Sequence, residues 1–326
     1  MPEFNNPQDI GLSRRRLLKT GAATLGAGAI GGIASSAAAA QGSSIAKRPF
    51  TYCFNTSTIR GQNLGLVEEI EIAAKAGYDA IEPWMRKIQK YVDAGSSLKD
   101  LGKRIADLGL TVESAIGFAQ WIVDDDQKRA AGLEQAKHDM DILRQIGGKR
   151  IAAPPVGATR QTDLDLFKAA ERYRALLKVG DKLGVVPQVE VWGFSKSLSR
   201  LGESMFVAIE SGHPKACLLP DVYHIFKGGS DFTGLRLLSG SAIQVFHVND
   251  YPAKPPRAEM KDAHRVYPGD GVAPLDMIFQ TLRDHGRTVA LSLELFNPDY
   301  WKQDALAVAK TGLEKTKMAV QHAIGS

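Results

Sequence analysis

Four side chains able to bind a cation or move a proton stand in the second half of this 326-residue chain: Glu190, Asp221, His247 and Glu294. Each closes a short apolar run: Val189-Glu190-Val191-Trp192, Leu219-Pro220-Asp221-Val222, Val245-Phe246-His247-Val248 and Leu291-Ser292-Leu293-Glu294. An ionised group is buried in such a run only with a counter-charge, hydrogen bonds or a metal, because unpaired desolvation is so costly. Three carboxylates and one imidazole make a donor set for one divalent cation. Mn²⁺ is expected, with Mg²⁺, Co²⁺ and Zn²⁺ as alternatives. The competing reading is four salt-bridged residues with no metal.

Residues from distant runs meet only if the fold gathers them. Apolar strand candidates at 50–54, 80–84, 111–116, 150–154, 187–192, 216–220, 243–248 and 289–295 alternate with amphipathic stretches. Among the latter are 65–76, 97–108, 127–146, 164–183, 199–211 and 274–285, and glycines stop several of them (Gly77, Gly109, Gly147, Gly184, Gly286). Eight such units predict an α/β fold, a (β/α)₈ TIM barrel in a single domain. No G-x-G-x-x-G follows the first strand, which argues against a doubly wound dinucleotide fold. Active sites of such barrels form at the C-terminal ends of the strands. Glu190, Asp221, His247 and Glu294 would end strands five to eight, so barrel closure brings them to one mouth.

The N-terminus reads as an address. Ser13-Arg14-Arg15-Arg16-Leu17-Leu18-Lys19 precedes a Gly/Ala-rich, mildly apolar stretch and the Ala37–Ala40 tail. The twin arginines have the form of a Tat export signal at 1–40, with a linker at 41–49 and the barrel at 50–326. This predicts a precursor that meets the Tat machinery, a periplasmic or otherwise extracytoplasmic enzyme, and no stable membrane span after cleavage. Retention as an uncleaved anchor is the alternative. A net charge of +5 without a clustered basic face gives no reason to expect nucleic acid. The only cysteines, Cys53 and Cys217, lie in separate apolar runs and are expected to be buried and unpaired.

Glu190, Asp221 with His224 in D-x-x-H, His247 in H-V-N-D, and Glu294 together resemble the xylose isomerase-like TIM barrels, the sugar isomerase/epimerase superfamily that includes ketose 3-epimerases, inosose dehydratases and endonuclease IV. The match runs from about residue 50 to the end. The resemblance implies that these four bind the metal and that Glu190 and Glu294 also shuttle protons beside a sugar carbonyl. It implies substrate contact from His224. Arg265, in the long segment after strand seven, is expected to reach substrate oxygens or a site carboxylate, and His264 to reach substrate. Trp84 and Trp192 are expected to wall the pocket, because sugar C–H faces stack on aromatic rings. Glu82 shares a strand face with Trp84 and is expected either at the site or in a strand-end salt bridge. In endonuclease IV-like relatives a D-x-H pair joins the D-x-x-H histidine on a further zinc, so His224, Asp262 and His264 form a candidate second metal group. The histidines those nucleases carry after strands two and three are missing here; Trp84 and Ala115-Ile116-Gly117 stand there. The expected activity is isomerisation or epimerisation of a free sugar or keto-sugar. A lyase or hydratase acting on a 3-keto-glycoside or keto-inositol is the alternative, and a non-catalytic sugar-binding barrel a further one. A homo-oligomer fits such barrels, although no segment specifies an interface.

Overall fold

The computed structural model describes residues 48–325. The expected export signal at 1–40 and most of the expected linker lie outside the described residues. Eight strands follow in chain order: β1 Phe50–Asn55, β2 Ala80–Glu82, β3 Thr111–Val112, β4 Arg150–Ala153, β5 Val186–Glu190, β6 Leu218–Leu219, β7 Val245–Val248 and β8 Val289–Leu293. All their ladders are parallel, in the orders β3-β2-β1-β8-β7 and β4-β5-β6. Isolated backbone hydrogen bonds, among them Ala115 N–H to Arg150 O (3.1 Å) and His247 N–H to Pro220 O (2.9 Å), close the two gaps. Ala152 N–H donates to Ala115 O (2.9 Å) between β3 and β4, and Leu218 N–H to Ala242 O (2.8 Å) between β6 and β7. The result is a closed barrel, as the alternating pattern predicts.

Nine α-helices surround it among the described residues: α1 Leu66–Ala76, α2 Met85–Asp93, α3 Leu98–Asp107, α4 Asp126–Gln145, α5 Leu166–Leu183, α6 Leu201–Glu210, α7 Val222–Gly228, α8 Leu275–Asp284 and α9 Ala305–Ile324. The glycine stops are genuine left-handed caps, as at Gly77 (φ 92°) and Gly184 (φ 72°), where a side chain would clash with its own backbone. No helix among the described residues is long and apolar enough to cross a membrane. Cys53 and Cys217 are both buried and unbonded.

Several strands are shorter than their apolar runs suggest, and in β6 and β5 the cause is local. Pro220 has no N–H to donate, so β6 ends at Leu219, and Asp221 turns to cap α7 by accepting from His224 N–H (2.9 Å). β5 ends at Glu190 because the chain turns away after it, Trp192 N–H bonding Leu198 O at 3.0 Å.

Period-two alternation divides each strand between two cores. Phe54, Ile81, Val189, Phe246 and Leu291 face outward into the sheet–helix core. Cys53, Ala80, Ala152, Leu219, Val245 and Ala290 fill the barrel interior in a separate cluster. Above these small residues the same inward register places Asn55, Glu82, Glu190, His247, Ser292 and Glu294, all buried. The polar layer at the mouth is thus a continuation of the barrel's own packing.

Candidate active site

His247 is the hub. Its Nε2 lies 2.9 Å from Glu82 Oε2, at the end of β2. Glu82 also accepts from Asn55 Nδ2 (2.9 Å) and Ser292 Oγ (2.6 Å) and is held ionised; burial opposes this, but His247 and the hydrogen bonds outweigh it. A carboxylate on Nε2–H turns Nδ1 to the opposite side, toward Glu294 Oε2 (3.3 Å), Asp221 Oδ2 (3.7 Å) and Glu190 Oε1 (4.0 Å). Nδ1 has no hydrogen-bond partner, and neither has Glu190 Oε2, although both are buried.

Such a site can be stable in two ways. A proton on Nδ1 makes an imidazolium: burial disfavours it, yet Glu294 and Glu82 push the ring up to about 10. Alternatively a cation takes the place of that proton, with Glu82 orienting the imidazole from behind, the usual arrangement of a metal-bound histidine. Ligand atoms of Asp221, His247 and Glu294 all lie within 4.8 Å of one another, so these residues fit a divalent ion. Glu190 stands just outside that triad. Burial first, then the Glu294 and Asp221 charges, push its carboxyl up to about 8, and burial raises Glu294 to about 7. A cation among them would reverse both shifts.

Arg265 reaches the mouth by a folded-back loop. Asp250 accepts from the backbone N–H groups of Tyr251, Gly269, Gly271 and Ala273. Asp250 and Val266 also exchange backbone hydrogen bonds of 3.0 and 2.9 Å. The adjoining Arg265 is fully buried, its Nη1 at 2.9 Å from both Asp221 Oδ2 and Glu294 Oε2. Its Nη2 bonds Asp262 Oδ1 (2.6 Å) and lies 3.1 Å from His224 Nε2. His224 is neutral, pushed down to about 4 mainly by burial. Its Nδ1 faces Gly193 N–H at 3.3 Å; a neutral imidazole accepts at one nitrogen alone, so the ring accepts either there or from Arg265 at Nε2.

A cavity of about 370 Å³ opens above this floor, lined by Glu190, His224, Asp262, Arg265 and Glu294 and walled by Trp84, Phe118, Trp192, Phe194, Phe296 and Trp301. The wall is continuous, with ring centroids 5.2 Å apart for Trp84–Phe118, 6.3 Å for Phe118–Trp192 and 5.1 Å for Trp192–Phe194. Trp84 and Trp192 are therefore in the wall. His264 is not among the lining residues: its Nδ1 accepts from Lys261 N–H (3.0 Å) within its own turn. The structure does not gather His224, Asp262 and His264 into a second metal group; the Arg265 guanidinium lies between the first two. Asn55, Arg60, Ser292, Phe118 and Phe194 were not singled out by sequence reasoning. For Asn55 and Ser292 the inward period of β1 and β8 was the available signal; for the others, on loops, there was none.

The model of the xylose isomerase-like TIM barrel matches residues 70–317. The chain belongs to this family. It is 27% identical to an inosose isomerase of Bacillus velezensis over 82% of this chain and 96% of that protein. It is 24% identical to a 3-dehydro-D-guloside 4-epimerase of Escherichia coli over 58% of this chain and 73% of that protein. Among solved structures, the IolI protein with a bound zinc atom superposes with a TM-score of 0.77 at 22% identity, covering 85% of this chain and all of that one. That likeness independently establishes the barrel.

Proposed function

We propose that this protein is a divalent-metal-dependent isomerase or epimerase that moves a proton on the carbon beside a carbonyl of a free sugar or keto-sugar. The observation that carries this reading is the orphaned His247 Nδ1 facing Glu294, Asp221 and Glu190 under an aromatic-walled cavity. The names of the relatives, an inosose isomerase and a 3-dehydro-D-guloside 4-epimerase, support the substrate class. Glu190, Asp221, His247 and Glu294 would hold the cation, and Mn²⁺ is our first choice. When bound, it would supply the Lewis acidity that makes a hydrogen beside a carbonyl removable at neutral pH.

The chain's own groups divide the remaining work. Glu190 has one unpartnered carboxylate oxygen and is the freer proton carrier. Glu294 is held by Asn55 (3.1 Å) and Arg265 (2.9 Å) and would act from a more fixed position. Each transfer by a positioned carboxylate is worth about 10²–10⁴-fold. Arg265 presents positive charge to sugar oxygens, and the aromatic wall stacks the ring and excludes water. Export through the Tat route is part of the proposal and rests on Arg14, Arg15 and the Ala-rich tail; fractionating cells that make the full precursor would test it.

The function is tested by incubating Mn²⁺-loaded protein with ketoses and 3-keto-glucosides in D₂O, followed by proton NMR and mass spectrometry. Deuterium beside the carbonyl with the skeleton intact is expected, and Glu190→Gln or Glu294→Gln should remove most of it while leaving the fold. Release of an aglycone or of water would move the assignment to a lyase or hydratase using the same residues. Saturable binding without exchange would make the barrel a sugar-binding protein.

A further inference from the structure

One charge in the cavity has no part in the metal-side network. Arg60 lies on the 3₁₀ turn Thr56–Gln62 after β1 and lines the mouth. Its guanidinium carbon sits 5.6, 5.1 and 4.9 Å from the ring centroids of Trp84, Phe296 and Trp301. Among the described residues it forms no ion pair and donates no hydrogen bond, in contrast to Arg265, which Asp221, Asp262 and Glu294 hold. Stacking on aromatic faces offsets part of the charge but leaves the five N–H donors at the guanidinium edge unused.

Its surroundings make this more costly. Arg86, in the first turn of α2, lies over the same Trp84 ring at 4.3 Å and is likewise without an ion pair among the described residues. Burial, and then the Arg86 charge, lower the Arg60 guanidinium from its usual value; Glu294 and Asp262 oppose this from beyond ion-pair distance. Arg60 also lines an adjoining hollow of about 540 Å³ with Arg86, Lys87 and Lys90, and no carboxylate among the described residues lines it. Lys87 is committed to Glu69 at 2.9 Å, and among the described residues Arg60, Arg86 and Lys90 form no ion pair. The turn is also rigid. Gln62 Nε2 donates to Tyr300 O (3.0 Å) and Gln303 O (3.1 Å), and Gly61 packs so closely on Trp301 that a Cβ there would lie 2.2 Å from Trp301 Cβ.

We propose that Arg60 and Arg86, both stacked on Trp84, form an anion subsite that receives a carboxylate or phosphate carried by the substrate away from its reacting carbonyl. A guanidinium fork with free edge donors suits either planar carboxylate or phosphate oxygens. The subsite lies where the metal-floored cavity meets the basic hollow, so one end of the sugar faces Glu190 while the other faces Arg60. The proposal rests on the sugar-enolising reading above. A sugar acid agrees with the free-sugar part of that reading, and a sugar phosphate is the other source of the same chemistry.

The test compares kcat/KM of the Mn²⁺-loaded protein on neutral ketohexoses, keto-hexuronates and ketohexose 6-phosphates. We expect one anionic series to be preferred over the neutral one by tenfold or more, and the preferred series identifies the source. Arg60→Gln and Arg86→Gln should each reduce the anionic-to-neutral ratio, by about 10- to 100-fold for Arg60, chiefly through KM. Arg60→Lys, which keeps the charge but loses the fork, should fall between. A wild-type preference for neutral sugars, or equal losses on both series in the variants, overturns the subsite while leaving the enolising function standing. If no sugar is turned over, that function fails, and calorimetric titration with gluconate and with inorganic phosphate decides the subsite alone. Weaker binding in Arg60→Gln supports it; equal binding, or none to the wild type, overturns it.

Discussion

Replacing Glu82 with Gln probes the logic of the site most directly. Glu82 touches no substrate, yet its Oε2 gathers Asn55 Nδ2, Ser292 Oγ and His247 Nε2 within 2.9 Å. It sets the imidazole so that Nδ1 faces Asp221 and Glu294. Glu82→Gln keeps the volume but removes the charge that makes the imidazole a better donor. Losing such a partner behind a metal-bound histidine typically costs about 10- to 100-fold in affinity, or about 1.4–2.7 kcal/mol. At a Mn²⁺ concentration of about 100 times the wild-type Kd, the ion stabilises the wild type by about 2.7 kcal/mol. A variant with 100-fold weaker binding would gain only about 0.4 kcal/mol at that concentration. For a domain of this size the difference amounts to about 5–9 °C in Tm. Calorimetric scans of both proteins, with excess chelator and with Mn²⁺, separate this metal-linked gap from any loss in the metal-free fold. Competition titration against a chromophoric chelator measures Kd itself. Mn²⁺ affinity within about threefold of wild type would refute the role assigned to Glu82 and weaken the case for a metal on Nδ1.

Three further outcomes are expected. Arg265→Met leaves Asp221 and Glu294 without their shared guanidinium; metal-free stability should fall by about 3–5 kcal/mol and recover in part on Mn²⁺ addition, and an unchanged metal-free Tm would contradict the network. Glu113 is half-buried and held below its ordinary pKa, because Lys149 and Arg150 outweigh the opposing effect of burial. A depressed folded-state pKa stabilises above the unfolded value of about 4.5 and loses that contribution as pH falls through the folded one. The stability gap between wild type and Glu113→Gln should therefore be full near neutrality and shrink on acidification below about pH 5; a gap independent of pH would exclude the ion pairs as its source. Gly61→Ala should drive Trp301 off the Thr56–Gln62 turn and lower stability by about 1–3 kcal/mol, so an unaltered Tm would show that the contact is looser than it stands.

The barrel and the acidic and imidazole groups at its mouth were legible in the sequence because both leave local marks. A strand buried on two faces reads as an apolar run, and Glu190, Asp221, His247 and Glu294 show as charges where the run should stay apolar. The glycine stops are equally local, since each reports a backbone angle at one residue. What only the tertiary structure decided lies on the loops and in the pairing of partners far apart in sequence. His264 and Arg265 are neighbours in the chain, yet one turns to its own backbone and the other is buried among carboxylates. That difference is set by Asp250, whose side chain satisfies the N–H groups that fold the loop over the mouth. Asn55 joins Glu82 to Glu294, residues 27 and 239 positions away, because β1 lies between β2 and β8. Arg60 reaches the mouth on a turn that packs against Trp301, a contact no local pattern announces. Periodicity is written residue by residue along the chain, whereas the partner of a buried polar group is chosen by the closure of the barrel, and closure is a property of all eight strands together.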